Sequence, residues 1–369
     1  PGIQVVVARK GKVIYQKSFG NHTYESTQKV NNTDVYDIAS LTKIVATLPN
    51  VMQEFDQGHL TLETKLKTML PEAKNSNKAN ATVLDMLTHQ ARFQPWIPFY
   101  KATLDSLNRP STHFYRSEFS DEFPVHVADK LYLRKNYNDT IVKTILDSEL
   151  LPKKQYKYSD FTFILFKEYL ELHNKKSLED LAHANFFEPL GANSIMYNPL
   201  RKMNANRIIP TENDNYFRHQ IVQGYVHDMA AAMQGGISGH AGLFANALDV
   251  AKVMQMFLQK GSYGGRTYIS ESTFNIFNTC YFCKDGNRRG VGFDKPQLGN
   301  EGPTCGCVSL TSFGHTGFTG TMTWADPEKE IVYVFLSNRT FPDSNATNKL
   351  SKENIRENIQ KVIYEAIIE

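Results

Sequence analysis

Strand-like patterns lie at both ends of this 369-residue chain, and helical patterns lie between them. Near the start, residues 3–9 and 13–19 are rich in β-forming side chains and are separated by a turn that contains glycine. Near the end, residues 319–325 and 331–337 flank Asp326-Pro327-Glu328-Lys329, a turn with proline in its second position. The two hairpins predict one sheet built from both termini, with a helical region inserted between its halves.

The expected fold class is α+β, an antiparallel sheet from both termini that is flanked by helices and carries an inserted, mostly helical domain. We place the discontinuous sheet domain at residues 1–65 and 241–369 and the inserted domain at residues 66–240. Residues 91–138 are dense in aromatic, proline and charged residues with weak periodicity, which predicts an elaborated loop region. Apolar periodicity predicts further helices at residues 82–89, 140–151, 161–173, 248–259 and 351–369.

A helix is predicted to begin at Ser40. Apolar residues recur at steps of three and four from Ile44 to Phe55, and Gly58 ends the pattern. Pro49 lies inside this pattern and is expected to kink or break the helix, because proline lacks the backbone N–H that the helix interior needs.

Composition and charge exclude several classes of protein. Hydrophobic residues make up 41% of the chain and aromatic residues 12%, which excludes a disordered or fibrous protein. The 41 Lys and Arg residues against 38 Asp and Glu give a net charge of +3, and without a basic stripe they indicate no nucleic-acid partner. No apolar run approaches the roughly 18 to 20 residues of a membrane span. Because residue 1 is a proline, we expect a processed or excised piece with a missing N-terminal domain upstream.

The four cysteines are too few for a disulfide scaffold, and they fall into two close pairs. The pairs are Cys280 with Cys283 and Cys305 with Cys307. A four-cysteine zinc site, disulfides in an exported protein and reduced thiols are three alternatives for them. The second spacing is tighter than that of the usual structural zinc pair.

Ser40-Leu41-Thr42-Lys43 is an S-x-x-K sequence at the start of the predicted helix. Residues i and i+3 share a helical face, so the Lys43 ammonium can reach the Ser40 hydroxyl. The unpaired N–H groups and the positive dipole end of the first turn favour an anion there. Residues 26–29 repeat the spacing in a polar loop without a helix, so the helical context distinguishes Ser40. The alternative for Ser40 is an ordinary helix N-cap.

Two further segments carry groups that can react or bind. Tyr158-Ser159-Asp160 directly precedes the predicted helix at 161–173, and a nearby ammonium would favour Tyr158 as a phenolate base. A similar triplet lies at residues 137–139. His315-Thr316-Gly317 is expected on the strand of the closing hairpin, where a cation, a hydroxyl and a glycine could hold a carboxylate or carbonyl. The alternative for this segment is a glycine-rich turn into a strand.

In this order, the three segments resemble the S-x-x-K, Y-x-N and K/H-T-G motifs of the serine β-lactamase and penicillin-binding-protein superfamily. The resemblance is best to its class C β-lactamase, D,D-peptidase and esterase branch, and it runs from about residue 3 to about residue 340. It implies a β-lactamase/transpeptidase-like fold, and we expect neither a cofactor nor a metal at the site.

The resemblance also implies roles for individual residues. Ser40 would be acylated, Lys43 would assist its activation, and Tyr158 would be the base that shuttles protons. The oxyanion hole would use the backbone N–H groups of Ser40 and Phe318. The residues expected to bind the substrate are Asp160, His315, Thr316 and Gly317.

Two positions depart from the usual motifs. Asp160 stands where β-lactamases usually carry asparagine, and its carboxylate would favour the charged form of Lys43, moving proton transfer toward Tyr158. His315 stands in place of lysine, so its charge is expected to change near neutral pH.

These features predict a serine hydrolase that forms a Ser40 acyl-enzyme with cell-wall D-amino-acid peptides, small esters or β-lactams. Carboxypeptidase or esterase activity is favoured over a dedicated β-lactamase because of Asp160. The expected partner is a small-molecule or peptidoglycan-peptide substrate, and the resemblance implies a periplasmic or otherwise exported protein. The alternative is a non-catalytic accessory domain, of a larger cell-wall-processing protein, that binds peptidoglycan or a partner.

Overall fold

The computed structural model describes residues 2–299, 302–344 and 349–367. Within them the strands, in chain order, are β1 (Gly2–Arg9), β2 (Lys12–Gly20), β3 (Tyr36–Asp37), β4 (Tyr115–Arg116), β5 (Val125–Ala128), β6 (Leu131–Leu133), β7 (Met196–Tyr197), β8 (Glu212–Asp214), β9 (Gln220–Val222), β10 (Leu243–Ala245), β11 (Ser262–Tyr263), β12 (Arg266–Thr267), β13 (Phe313–Thr316), β14 (Met322–Asp326) and β15 (Ile331–Ser337).

The α-helices are α1 (Leu48–Asp56), α2 (Leu66–Met69), α3 (Val83–Leu87), α4 (Tyr137–Asp147), α5 (Phe161–Asn174), α6 (Leu178–Ala182), α7 (Met229–Met233), α8 (Ala247–Leu258), α9 (Glu271–Asn278), α10 (Lys349–Lys352) and α11 (Ile355–Glu365). Shorter 3₁₀ turns occupy Ala39–Leu41, Pro71–Asn75, Phe99–Thr103, Pro199–Arg201, Ala205–Arg207 and Cys283–Asp285, and π turns occupy Lys43–Thr47 and His183–Phe187.

One five-stranded antiparallel sheet joins the two ends of the chain. Its strand order is β13-β14-β15-β1-β2, so the first and last hairpins lie side by side. Val5 is paired with Phe335 on one side and with Lys17 on the other. The predicted α+β class, with an antiparallel sheet built from both termini, is therefore confirmed.

Alternate residues of this sheet enter two separate cores, because successive side chains on a strand point to opposite faces. Val5 and Phe335 belong to a cluster against which Ile359 and Ile363 of α11 pack. Val6 belongs to the main core on the other face, where α8 crosses β1, β14 and β15. A helix thus covers each face of the sheet, and β1, β13, β14 and β15 are largely buried, whereas the edge strand β2 is exposed.

The helix predicted from Ser40 is present, although it changes its winding twice. A 3₁₀ turn at Ala39–Leu41 is followed by a π turn at Lys43–Thr47 and then by α1. Pro49 lies in the first turn of α1. A missing N–H is tolerated in a first turn, so this proline marks the passage from π to α winding.

The interpretation of residues 91–138 as a loop region is wrong in part. This segment contains a small antiparallel sheet of order β4-β6-β5. Its strands are two to four residues long, too short for an alternating pattern to show in the sequence. The domain boundaries at 1–65, 66–240 and 241–369 stay a prediction, although each strand of the five-stranded sheet lies in the first or the last of these ranges.

The helix predicted at residues 351–369 is shorter in the structure, where α11 spans Ile355–Glu365, and residues 368 and 369 lie outside the described part. The cysteines form two local disulfides, Cys280 with Cys283 and Cys305 with Cys307, rather than one four-cysteine zinc site. Among the described residues, no helix combines the length and apolar character needed to cross a bilayer.

Candidate active site

Ser40 lies inside the short 3₁₀ turn that leads toward α1. The N-cap of this turn is Ile38, so the alternative of an ordinary capping serine is wrong. Ala39 has a φ of 47°, in the left-handed region that non-glycine residues rarely adopt, and its amide donates a 2.8 Å hydrogen bond to the Asp37 carboxylate. Such strain costs about 1–3 kcal/mol and persists only where surrounding contacts hold it.

Lys43 is fully buried and makes polar contacts with three groups. Its Nζ donates hydrogen bonds to Ser40 Oγ at 2.9 Å and to the His240 carbonyl oxygen at 3.0 Å. The same nitrogen lies 2.7 Å from Asp160 Oδ1. The ammonium and the serine hydroxyl therefore meet on one side of the helix, where the i,i+3 spacing brings them together.

Tyr158 approaches Ser40 from the segment that precedes α5. Its hydroxyl donates a 3.2 Å hydrogen bond to Ser40 Oγ. The neighbouring Ser159 anchors this loop, because its hydroxyl donates to the Gln94 carbonyl oxygen at 2.6 Å and its amide donates to His89 Nδ1 at 3.2 Å. The rings of Tyr158 and His89 lie with their centroids 4.6 Å apart. These contacts fix the phenol against the serine.

The protonation of Lys43 and Tyr158 follows from burial and from Asp160. Burial alone would lower the pKa of Lys43, but the charge of Asp160 and the interactions with Tyr158 outweigh it, so this pKa lies above its usual value. Burial raises the pKa of Tyr158, and the opposing effect of Lys43 does not cancel that rise. At neutral pH Lys43 is therefore an ammonium and Tyr158 a phenol. The phenolate that the sequence predicts for Tyr158 is not the resting form.

Side-chain hydroxyls tie the turn between β13 and β14 to the segment that precedes Ser40. Thr319 Oγ1 donates a 2.8 Å hydrogen bond to the Asp37 carbonyl oxygen. Thr321 Oγ1 donates a 3.2 Å hydrogen bond to the Ile38 carbonyl oxygen. The last hairpin and the start of the nucleophile helix are thereby held as one unit.

Gly317 allows this close approach. A Cβ atom at this position would lie 2.8 Å from the Ile38 carbonyl oxygen, closer than real Cβ contacts come. The next residue, Phe318, lines the same cleft as Ser40, and its side chain is 53% exposed. The two backbones expected to form an oxyanion hole thus border one space.

His315 is buried and neutral. Its Nδ1 lies 2.7 Å from the Thr316 carbonyl oxygen, which assigns the proton to Nδ1 and leaves Nε2 as an acceptor. Burial, together with the charges of Arg289 and Lys43, lowers the pKa of His315 well below its usual value. The expected change of charge near neutral pH is therefore wrong. Within the described chain Nε2 is buried without a hydrogen-bond partner, so it is available to a donor group.

A cleft of about 970 Å³ connects these groups. Of the residues predicted for the site, it is lined by Ser40, Tyr158, Asp160, His315, Thr316, Gly317 and Phe318. Trp96, Tyr100 and Tyr216 add aromatic surface to its wall. Lys43 lies buried behind Ser40 and does not line the cleft.

Arg289 is a second cation beside Tyr158, and sequence reasoning missed it. Its guanidinium carbon lies 5.3 Å from the centre of the Tyr158 ring, and its Nη2 donates to the Tyr156 hydroxyl at 3.1 Å. Its Nε lies 3.5 Å from the Asp294 carboxylate. Positive charge therefore reaches Tyr158 from Arg289 as well as from Lys43, whose Nζ lies 5.2 Å from the ring centre.

Arg339 and Arg356 also line the cleft. The Arg339 guanidinium carbon lies 4.8 Å from the centre of the Phe318 ring. Burial and the charge of Arg356 lower the pKa of Arg339, because two like charges share this region. Arginine nevertheless keeps its charge, so this part of the cleft favours an anionic ligand.

Few features of the sequence could have identified the three arginines of the cleft. Arg339 falls in a segment that the family resemblance covers, whereas Arg289 and Arg356 belong to no motif. His240 contributes its backbone oxygen to Lys43, and its Nε2 lies 2.8 Å from Asp228. The competing triplet at residues 137–139 lies in the first turn of α4, away from these contacts.

The fold is the β-lactamase/transpeptidase-like fold. The sequence profile of the Beta-lactamase family matches residues 1–354, and the chain belongs to that family.

Curated relatives of the chain include two proteins with the names of cell-wall enzymes. It is 26% identical to a protein of Escherichia coli K12 named "Putative D-alanyl-D-alanine carboxypeptidase", over 92% of this chain and 78% of that protein. It is 28% identical to an "N-acetylmuramyl-L-alanine amidase" of Bacillus subtilis 168, over 92% and 77% of the two chains.

A solved structure shares the fold. EstCE1, described as a hydrolase with promiscuous acyltransferase activity, superposes with a TM-score of 0.70 at 17% identity. The match covers 98% of this chain and 93% of EstCE1.

Proposed function

We propose that this protein is a serine hydrolase that cleaves D-amino-acid peptides of the cell-wall type through a Ser40 acyl-enzyme. The observation that carries the proposal is that Ser40 Oγ accepts hydrogen bonds from both Lys43 Nζ and the Tyr158 hydroxyl while it lines an open cleft. A serine held between two proton-transfer groups is the arrangement that nucleophilic catalysis needs.

In the proposed acylation, Ser40 Oγ attacks the substrate carbonyl carbon and passes its proton to the Lys43–Tyr158 pair. The backbone N–H groups of Ser40 and Phe318 would stabilise the resulting oxyanion. Return of the proton to the leaving amine would release the C-terminal D-amino acid, and water would then hydrolyse the ester on Ser40. Because the resting pair is ammonium and phenol, the reactive form carries one proton fewer.

The choice of substrate rests on charge. Arg339 and Arg356 line the cleft, and Arg339 lies beside Phe318, where its guanidinium would attract the terminal carboxylate of a peptide. His315 is neutral and cannot supply this attraction. The names of two relatives, a carboxypeptidase and an amidase, agree with a peptide substrate from the cell wall. On the same grounds we propose that the protein is exported.

The experiment that tests the proposal is intact-mass measurement after exposure to a fluorophosphonate or to penicillin, followed by an assay with a D-alanyl-D-alanine peptide. We expect one adduct that maps to Ser40, release of D-alanine, and loss of both in Ser40→Ala. An adduct without peptide turnover would contradict the substrate, and an esterase assay would then define the activity. Absence of any adduct in folded protein would favour a non-catalytic accessory domain.

A further inference from the structure

We propose that Glu54, His59 and His173 form a zinc site at the end of the molecule where α1 and α5 finish. Glu54 belongs to the last turn of α1, His59 follows that helix closely, and His173 lies in the last turn of α5. Neither the family match nor the sequence motifs point to these residues, because they are brought together only by the fold.

Three potential ligand atoms converge at this place. Glu54 Oε2 lies 2.8 Å from His59 Nδ1 and 3.4 Å from His173 Nε2, and the two imidazole nitrogens are 3.2 Å apart. Tetrahedral zinc with bonds of about 2.0–2.1 Å holds neighbouring ligand atoms about 3.3 Å apart. The triangle already has nearly the dimensions of one face of a zinc tetrahedron.

Hydrogen bonds cannot satisfy all three contacts at once. If His59 Nδ1 and His173 Nε2 both carry a proton and donate to Glu54, the two N–H groups also face each other and repel. If one of these nitrogens instead accepts a hydrogen bond from the other, it carries no proton and cannot donate to the Glu54 carboxylate. A cation at the centre would instead use a lone pair from each of Glu54, His59 and His173. The geometry is therefore better explained by a metal than by a hydrogen-bonded cluster.

The supporting contacts orient the ligands. Glu54 is buried, and its second oxygen accepts a 2.8 Å hydrogen bond from Asn174 Nδ2. The amide of His59 donates to the Glu54 carbonyl oxygen at 3.0 Å, which folds the turn back onto α1. The His173 ring stacks on Tyr169 at a centroid distance of 5.5 Å. Outer contacts of this kind fix ligand direction in metal sites.

The donor set selects the metal. Two imidazole nitrogens and one carboxylate oxygen suit zinc, whereas calcium and magnesium prefer oxygen ligands throughout. The side chains of His59 and His173 are 42% and 39% exposed, so the metal can enter from solvent and a water can complete the tetrahedron.

A metal at this site would link the far ends of two helical segments, and groups of the candidate active site lie at their near ends. Lys43 and Glu54 lie on one continuous run of helical turns, and Asp160 directly precedes α5, which ends near His173. Eleven residues of helix span about 16 Å, so the metal would lie far from Ser40 and take no part in bond cleavage. We infer that it clamps α1 to α5 and so keeps Lys43 and Asp160 at their observed separation.

The test is zinc binding by the full chain, treated with chelator and kept under non-reducing conditions so that the disulfides stay closed. Calorimetry and metal analysis should find one zinc per chain, and the melting temperature should rise by about 3 °C at a hundred times the dissociation constant. His59→Asn and His173→Asn should each weaken zinc binding at least about tenfold. His113→Asn, a change of an exposed histidine elsewhere, should bind like the wild type.

Circular dichroism should show that each variant is folded, and Asn174→Ala adds a change outside the ligand set that should weaken binding about tenfold. No stoichiometric zinc on the wild type would overturn the proposal. So would unchanged affinity in both histidine variants, because the metal would then be bound elsewhere. These outcomes are independent of Ser40 acylation, so they separate this site from the proposed function.

Discussion

The Asp160 carboxylate lies 2.7 Å from the Lys43 ammonium nitrogen, within the cluster that also holds the Ser40 hydroxyl and the Tyr158 phenol. This carboxylate raises the pKa of both Lys43 and Tyr158. The cluster therefore holds its protons more tightly than it would with a neutral residue at position 160. Activity should rise with pH as the pair loses one proton.

Asp160→Asn is predicted to move the ascending limb of the kcat/KM profile to lower pH by about one unit. The limb moves to lower pH because removal of the negative charge lowers the pKa of both Lys43 and Tyr158. Either group then loses its proton, and becomes a base, at a lower pH. The measurement is the pH dependence of ester hydrolysis. Asp147→Asn, a change in an exposed ion pair on α4, serves as the control and should leave the limb in place. A limb that stays in place in Asp160→Asn would contradict the assignment.

The positive charge of Arg289 should affect the ascending limb of the pH profile in the direction opposite to the negative charge of Asp160. The pKa of Arg289 lies above its usual value despite burial, mainly because of Asp294 and to a smaller extent because of Tyr156 and Tyr158. Its guanidinium carbon lies 5.3 Å from the Tyr158 ring centre, so its charge favours the phenolate. Arg289→Met should therefore shift the ascending limb to higher pH by about half a unit or more, with lower kcat/KM at neutral pH. Arg289→Lys keeps the charge and should retain most of the original profile. Equal shifts in both variants would show that packing, rather than charge, matters at this position.

Gly317→Ala is predicted to reduce both activity and stability. The new methyl group would meet the Ile38 carbonyl oxygen at 2.8 Å and push the turn away from the nucleophile segment. Overpacking of this kind costs about 1–3 kcal/mol of unfolding free energy, and kcat should fall because Phe318 loses its place beside Ser40. Gly299→Ala, where an added Cβ has open space, is the matched control for urea unfolding and turnover. Wild-type kcat in Gly317→Ala would count against the oxyanion-hole assignment.

Arg339→Gln should distinguish charged from neutral substrates. Loss of a charge-assisted hydrogen bond costs about 1.5–3 kcal/mol, so kcat/KM for a peptide with a free carboxylate should fall about 10- to 100-fold. A neutral ester should be hydrolysed at nearly the original rate. Arg201→Gln, which alters an exposed ion pair outside the cleft, controls for general loss of positive charge. Equal losses on both substrates would indicate damage to the site instead of altered recognition.

The sheet and the nucleophile could be predicted from local patterns. Short runs rich in β-forming apolar residues predict β1 and β15, and the i,i+3 relation of Ser40 and Lys43 follows from helical geometry alone. The start of α5 at Phe161 was likewise visible as a change of period after Asp160. Each of these features depends on residues that are neighbours in the chain.

The charge state of the site could not be predicted in this way. His315 was expected to titrate near neutral pH, but its burial and the nearby Arg289 keep it neutral. Tyr158 was expected to be a phenolate, but burial and Asp160 keep it protonated. Both corrections arise mainly from desolvation, and for His315 also from the charge of Arg289, which lies outside its motif. A motif does not record how deeply its residues are buried.

The hydrogen bond from Thr319 to the Asp37 carbonyl oxygen joins residues 282 positions apart. A ribosome adding about 5–20 residues per second needs about 15 to 60 seconds to synthesise the chain between them. During that interval the segment that bears Ser40 has emerged without the turn that holds it. If Ser40 acts as proposed, a growing chain becomes able to transfer acyl groups only after its last hairpin has been synthesised.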